Sequence, residues 1–248
     1  MQASSVGAVF ILAVTGIYLV CRLIGGYFRL TSRAYNREKD LLIRRQIETS
    51  LENSAPIHLD IGGSCEGGLA GGAALSAAEA TGTVSAQMAF ADEPWAITAA
   101  GGLDTSLEKD AVRMGMEAAD YGTSYDADCS VFTGTGDIGH SSGNSVALEK
   151  EPNALHLTIG SAGPASAVLT DTLYSRGEIL CIGGDDLLAQ AVGTVSADAV
   201  FIGEQYMEIP DSLDHKEKKN PALIAVDIMR WVVIAAVILF AAAGLSGM

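Results

Sequence analysis

Apolar and polar positions alternate in blocks through the middle of the chain, with short apolar runs separated by longer stretches of helix-forming residues. The runs predict six strands: Ile57 to Ile61, Trp95 to Ala99, Cys129 to Thr133, Leu155 to Gly160, Ile179 to Gly183 and Ala199 to Gly203. Between them, helices are predicted at about Leu69 to Ala80, Ser106 to Tyr121, Ser142 to Lys150, Gly163 to Arg176 and Asp185 to Val195. Strands this apolar, alternating with helices over short connections, form a parallel sheet covered on both faces. Right-handed crossovers favour a Rossmann-like α/β fold. Its sheet is doubly wound, mainly parallel and six-stranded, with the first and fourth strands adjacent at the centre.

Two segments repeat a common pattern. PIHLDIGGSCEGGLAGGAALSAAEA from Pro56 and ALHLTIGSAGPASAVLTDTLYSR from Ala154 share His-Leu-x-Ile-Gly and read as strand, glycine loop and helix. In an open sheet of this kind the chain leaves the two central strands in opposite directions, which opens a crevice at their carboxyl ends. The candidate ligand-binding positions are Gly62, Gly63, Ser64, Gly67 and Gly68 after the first strand, Gly160, Ser161 and Gly163 after the fourth, and Gly184 and Asp185 after the fifth. Glycine loops leading into helix N-termini expose N–H groups that bind an anionic or carbonyl-bearing ligand. The competing reading is that the glycines serve tight turns and Asp185 caps a helix. Thr133 to His140, TGTGDIGH, reads as a polar loop that either reaches the crevice or forms a plain crossover.

The apolar pattern changes scale at the two ends. Val6 to Phe28 and Leu223 to Leu245 are long enough to cross a bilayer, which predicts a transmembrane α-helix on each side of the sheet domain. Arg22, Arg29, Arg33, Arg37, Lys39, Arg44 and Arg45 lie late in the first stretch or after it, and Lys216, Lys218 and Lys219 precede the second. Both basic flanks point at the middle of the chain, the charge order of an N-out anchor and a cytoplasmic domain held at both ends. The expected organisation is a first span at 1–28, a basic juxtamembrane helix at 29–54, the Rossmann-like domain at 55–208, a linker at 209–222 and a second span at 223–248. Within the helix at 29–54, Arg44 and Glu48 are spaced to pair, and Leu41, Leu42, Ile43, Ile47 and Leu51 exceed what a solvated helix needs. They face either this domain or another subunit. Asp227 and Arg230, at i and i+3, are expected to pair near the start of the second span.

Charge separates sharply along the 248 residues, whose formal net charge is −15. Between Glu48 and Asp214 there are 26 acidic residues against Lys109, Arg113, Lys150 and Arg176. Such a domain repels nucleic acid and anionic lipid, while the basic collar can hold anionic headgroups. The acidity serves solubility or, alternatively, cation binding. Cys21, Cys65, Cys129 and Cys181 show no CxxC spacing and read as reduced thiols, with Cys129 and Cys181 in strands. His58, His140, His156 and His215 are scattered, and no metal site is read from them.

Gly63 to Gly68 has the G-x4-G spacing of a phosphate loop, but Leu69-Ala70 stands where Lys and Ser or Thr would be needed. A dinucleotide fingerprint is missing after the first strand, and Ala99-Ala100-Gly101 offers no acid for a ribose. Neither Ser64 nor Ser161 lies in a G-x-S-x-G elbow. The N-out anchor, the PIHLDIGG and HLTIGSAGP pairs, the ILCIGGDD turn, the ADAVFIGE strand and the final span resemble an uncharacterised prokaryotic family of membrane proteins with a Rossmann-like domain between two transmembrane helices. That family brings no assigned activity, so no catalytic residue or cofactor is carried over. The expected function is a membrane-anchored cytoplasmic scaffold, assembly subunit or small-ligand sensor in a prokaryotic plasma membrane. Its partners would be the lipid bilayer and its own copies or a larger membrane complex, with no nucleic acid. The alternative is a metal-assisted enzyme that takes a phosphorylated or nucleotide-type ligand in the central crevice.

Overall fold

The computed structural model describes residues 12, 14–24, 37–63, 65–66, 69–91, 95–148, 155–161, 163–176, 178, 180–184, 186–213 and 221–246. Asn36–His215 form one compact unit, and Met1–Tyr35 with Lys216–Met248 form another. In the first of these, helix α1 (Arg37–Asn53) leads into strand β1 (Ile57–Gly62), a small antiparallel hairpin of β2 (Cys65–Glu66) and β3 (Leu69–Ala70), and helix α2 (Gly72–Gln87). There follow β4 (Trp95–Ala99), α3 (Gly102–Ala118), β5 (Ser130–Phe132), α4 (Gly136–Leu148), β6 (Leu155–Ser161) and α5 (Ser166–Arg176). Then come β7 (Leu180–Gly183), α6 (Leu187–Ser196), β8 (Ala199–Phe201) and α7 (Ile209–Leu213).

The six strands lie in the order β5-β4-β1-β6-β7-β8, with every pairing parallel. This is the expected doubly wound sheet, and β1 and β6 are its two central strands, paired Ile57 to Leu155, His58 to His156 and Asp60 to Thr158. Alternation along the strands sends the two sets of side chains to opposite faces. On one face Ile57, Leu59, Ile61, Ile97, Leu155, Leu157 and Ile159 meet Ala77, Ala80 and Val84 of α2, Val112 and Met116 of α3, and Ile209 and Leu213 of α7 in the main core. On the other, Leu180 and Ile182 join Leu148 of α4 and Leu169 and Leu173 of α5 in a smaller cluster. The rest of that second face, over β1 and β6, is polar.

Helix α1 packs on its own domain, because Ile43 and Ile47 are buried in the main core while Leu41 is exposed. Its Lys39 turns inward, donating to the Val200 carbonyl and to Gln205 Oε1 at 3.1 Å and lying 5.3 Å from the centre of the Phe201 ring. Arg44 pairs with Asp40 at 3.0 Å rather than with Glu48, so the ion pair forms one turn back toward the helix start.

The helices begin elsewhere than the sequence suggests, α3 at Gly102 rather than Ser106, and the shifts at α2 and α4 have clear causes. Leu69–Ala70 belongs to the hairpin, and α2 starts at Gly72 and runs to Gln87. The intervening Gly67-Gly68 is a dipeptide suited to a tight hairpin, which competes with helix at that point. Helix α4 starts at Gly136 and so absorbs most of the TGTGDIGH segment, ending at Leu148. Within it, Gly143 serves close approach, since a Cβ there would run into the Thr133 carbonyl. Cys129 also moves, into a 3-10 turn ahead of β5, whereas Cys181 is buried within β7 as expected.

Helices α2 and α3 press together through small residues. A Cβ on Gly115 would collide with the Gly82 carbonyl and lie 3.0 Å from the Ser85 side chain, whereas one on Gly82 would sit 3.3 Å from the Ala111 carbonyl. Gly115→Ala is therefore expected to lower stability by about 1–3 kcal/mol through overpacking, and Gly82→Ala by less. Equal urea midpoints for Gly115→Ala and the parent protein would show that the two helices do not touch there.

In the terminal unit, residues 14–24 are helical, and α8 (Pro221–Ser246) carries the expected Asp227–Arg230 pair at 3.6 Å. Among the described residues no helix is long and apolar enough to cross a membrane. The two spans expected from the sequence are therefore not shown by the structure.

Candidate functional site

The polar face at the centre of the sheet is built from the two matching segments. Register places His58 beside His156 and Ala96, and Asp60 beside Thr158 and Thr98. All of His58, Asp60, Thr98, His156 and Thr158 are 2% exposed or less. Polar groups so deeply buried need partners, and these satisfy one another.

Asp60 sits at the middle of the network. Its Oδ1 is 2.6 Å from His140 Nε2 and accepts from the Gly62 N–H at 3.1 Å, and its Oδ2 accepts from the Thr158 hydroxyl at 3.3 Å. On the other side of His140, Nδ1 lies 2.7 Å from Thr133 Oγ1. The His58 and His156 rings lie nearly parallel at 14°, with centres 4.5 Å apart and their Nδ1 atoms 2.6 Å apart. His58 Nε2 is 3.1 Å from Thr98 Oγ1, and His156 Nε2 is 3.1 Å from Thr158 Oγ1.

The charge states follow from these contacts. Burial opposes ionisation of Asp60, but the charge and hydrogen bond of His140, helped by His156 and His58, hold its carboxyl well below the usual carboxylate range. Burial likewise opposes a charged His140, but the charge and hydrogen bond of Asp60, with Asp137 and Asp104 adding, raise it above its ordinary value. His156 is pushed down to about 4 by burial, with Asp60 and His140 acting in opposite senses. His58 is driven well below its ordinary value by burial and by His156.

An ionised Asp60 only accepts, so Thr158 must donate to it and must itself accept from His156 Nε2–H. A neutral His156 then accepts at Nδ1 from His58 Nδ1–H, and His58 Nε2 accepts from the Thr98 hydroxyl. His140, as an imidazolium, donates from Nε2 to Asp60 and from Nδ1 to Thr133. One polarity thus runs from Thr98 through both central strands and ends at Asp60, which His140 of α4 meets as a donor from the other side.

The candidate positions named from the sequence fall around this network. Gly62 closes β1 with φ +59°, its N–H bonded to Asp60, and Gly63 follows with Ala100 of the next loop 3.5 Å from where its Cβ would lie. Gly160 (φ +136°) and Ser161 end β6. A Cβ on Gly184 would strike the Gly160 carbonyl, so the end of β6 and the loop after β7 are in backbone contact. Gly163 donates its N–H to Asp137 of α4 at 2.8 Å and has no room for a side chain. Ser64, Gly67, Gly68 and Asp185 lie outside the described residues. The N-cap of α6 is Asp186 rather than Asp185: its Oδ1 accepts from Leu188 N–H at 2.7 Å and Ala189 N–H at 2.9 Å.

Sequence reasoning missed the three histidines and Asp60 as a group, along with Glu108 on α3; Asp104, on the same helix, follows the second strand among the acids expected near the crevice edge. Asp104 is 2% exposed, and its Oδ1 has no hydrogen-bond partner among the described residues. One turn on, Glu108 is fully buried against α2, and burial, opposed by the Thr81 hydroxyl and reinforced by Asp104, pushes its carboxyl up to about 8. Neither Glu108 oxygen reaches hydrogen-bond geometry with a neighbour. Among the described residues no three His, Cys, Asp or Glu side chains come together to hold a metal ion. Compared with known proteins, the chain matches no family model, no curated protein and no solved structure, so the likeness to the two-span family rests on its own motifs alone.

Proposed function

We propose that the chain is a membrane-anchored domain that binds a small ligand in the crevice between β1 and β6 and acts as a sensor or assembly subunit at the cytoplasmic face. The observation that carries this reading is the reversal of chain direction at β1 and β6, with Gly62 and Gly63 at the end of one strand and Gly160, against Gly184, at the end of the other. Ligands of doubly wound sheets bind at this place. The polar groups below it are engaged with one another, and Asp60 accepts from His140, Thr158 and Gly62 together. Chemistry committed to joining β1, β6 and α4 fits a site that holds and reports better than one that reacts.

Support for the anchors is of a different kind. Basic residues follow the first apolar stretch and precede the second, and α8 carries no charged residue from Trp231 onward. Trp231, Val233, Val237 and Ile238 on that helix are each more than half exposed. Exposed apolar side chains at that density suit an apolar surrounding.

A second reading, a metal-assisted enzyme acting on a phosphorylated or nucleotide-type ligand, draws on Asp104, a buried acid with an unpartnered oxygen at the start of α3. Melting of the full-length protein with ATP, NAD and inorganic phosphate, each with and without Mg2+, separates the two. The binding reading expects a rise in melting temperature for one ligand class, without turnover of that ligand and lost in Gly184→Val. Turnover that requires Mg2+ and Asp104 would replace it with the second reading, and no shift with any ligand would count against both.

A further inference from the structure

We propose that the crevice is proton-gated: protonated His140 clamps α4 onto β1 through Asp60 and holds the Gly163 loop through Asp137, and loss of that proton loosens both. The gate rests on the reading that the crevice is the binding site, but its mechanics belong to the fold. Helix α4 carries both contacts on adjacent turns, His140 reaching the sheet at 2.6 Å and Asp137 reaching the Gly163 N–H at 2.8 Å. Ahead of it, Gly134 (φ +151°) and Gly136 (φ +69°) form a connection able to hinge. The clamp lies over the sheet's polar side, where α4 brings only Leu148 to the smaller apolar cluster.

The groups facing His140 are Asp60 and His58 from β1, His156 from β6, Asp104 from α3 and Asp137 from its own helix. Three acids and two neutral imidazoles favour the imidazolium. Thr133 and Asn144 complete the surround, the Asn144 side-chain nitrogen lying 3.4 Å from His140 Nε2. When the proton leaves Nδ1, the Thr133 hydroxyl turns to donate to the bare nitrogen. The hydrogen bond survives, but Asp60 is left as a buried carboxylate without its counter-charge, which weakens the clamp.

The sign of the effect distinguishes it from ordinary acid unfolding. A histidine raised above its unfolded value stabilises fully below about pH 6.5, and that contribution is lost as pH rises through its folded value. The lowered His58 and His156 act oppositely, since the unfolded chain takes up their protons first as pH falls below about 6.5. Acid therefore tightens α4 locally, while in the sheet the loss at His58 and His156 is opposed by Glu108 of α3, whose carboxyl burial raises to about 8.

Hydrogen exchange of the full-length protein without ligand, corrected for intrinsic rates between pH 5.5 and 8.5, reads both effects. Amides of 137–147 and 163–166 should be about tenfold better protected at the acid end for each pH unit by which the clamp raises His140. In Glu108→Met, where that opposing contribution is absent, amides of β1 and β6 should change in the opposite direction. His140→Gln should flatten the dependence in α4, and Asp137→Ala, which leaves the Gly163 N–H without its acceptor, should remove it from 163–166 while leaving it in α4, reduced by the loss of the Asp137 charge. Protection of α4 that is constant with pH, that falls with acid alongside the strands, or that keeps its dependence in His140→Gln would overturn the gate. A ligand screen that finds nothing would leave these exchange results standing, so the two readings fail separately.

Discussion

Replacing Asp60 by Ala should lower the stability of the full-length protein by about 3–5 kcal/mol, the loss expected when one partner of a buried ion pair is removed. Asp60 is 2% exposed and receives His140, Thr158 and Gly62 together. Its removal strands the His140 charge and the Thr158 hydroxyl in the interior, and the chain of donors that begins at Thr98 loses its end point. Asp60→Asn should cost less, because its amide can donate to a neutral His140 while its oxygen still accepts from Thr158. Urea unfolding near pH 6 measures both. An Asp60→Ala protein within about 1 kcal/mol of the parent would mean that the network contributes little beyond its packing, contrary to the usual cost of unpaired buried charge.

The opposite sign is expected for Glu108. Its carboxyl is raised to about 8 in the folded protein from an ordinary value near 4.5, so its stabilising contribution is complete below about pH 4.5 and drains away as pH rises toward 8. At pH 7 the folded protein still holds a proton that the unfolded chain has released. At about 1.36 kcal/mol per unit, two and a half units correspond to about 3 kcal/mol of stability lost. Glu108→Met keeps the length of the side chain, removes the carboxyl and leaves Thr81 free to bond within its own helix. It should raise stability at pH 7 by about 3 kcal/mol and remove Glu108's share of the decline between pH 4.5 and 8. A destabilised Glu108→Met protein, or one with the parent's pH profile, would show that the carboxyl is hydrogen-bonded and ionised. Stabilisation would instead mark Glu108 as a group kept at the expense of stability, as functional groups often are.

Why the sheet was legible and its polar centre was not comes down to the strands themselves. Leu155 to Gly160 and Ile179 to Gly183 are short, mostly apolar runs that end in glycine, which favours strands; the match of His58-Leu-Asp-Ile-Gly with His156-Leu-Thr-Ile-Gly correctly named the central pair. Nothing in that pattern says which face each residue takes or that the two strands lie in register. Had register been assumed from the match, His58 would have been set beside His156 and Asp60 beside Thr158. The third histidine was hidden for another reason. TGTGDIGH has the composition of a loop, yet its helix forms because Gly143 lets α4 crowd the Thr133 backbone, and only from that position does His140 reach Asp60. The cap of α6 shows a finer limit. Asp185 and Asp186 are equivalent on composition, and only backbone geometry assigns the cap to Asp186. For the two apolar ends, charge order is a statement about topology in a bilayer, and the fold of the sheet domain bears on it not at all.

A density map of the protein extracted together with its own lipids tests the central claim most directly. It should show both termini within the lipid annulus and non-protein density between the loops after β1 and β6, above Asp60 and His140. Termini lying free of lipid, or a β1–β6 crevice filled by the protein's own side chains, would contradict it.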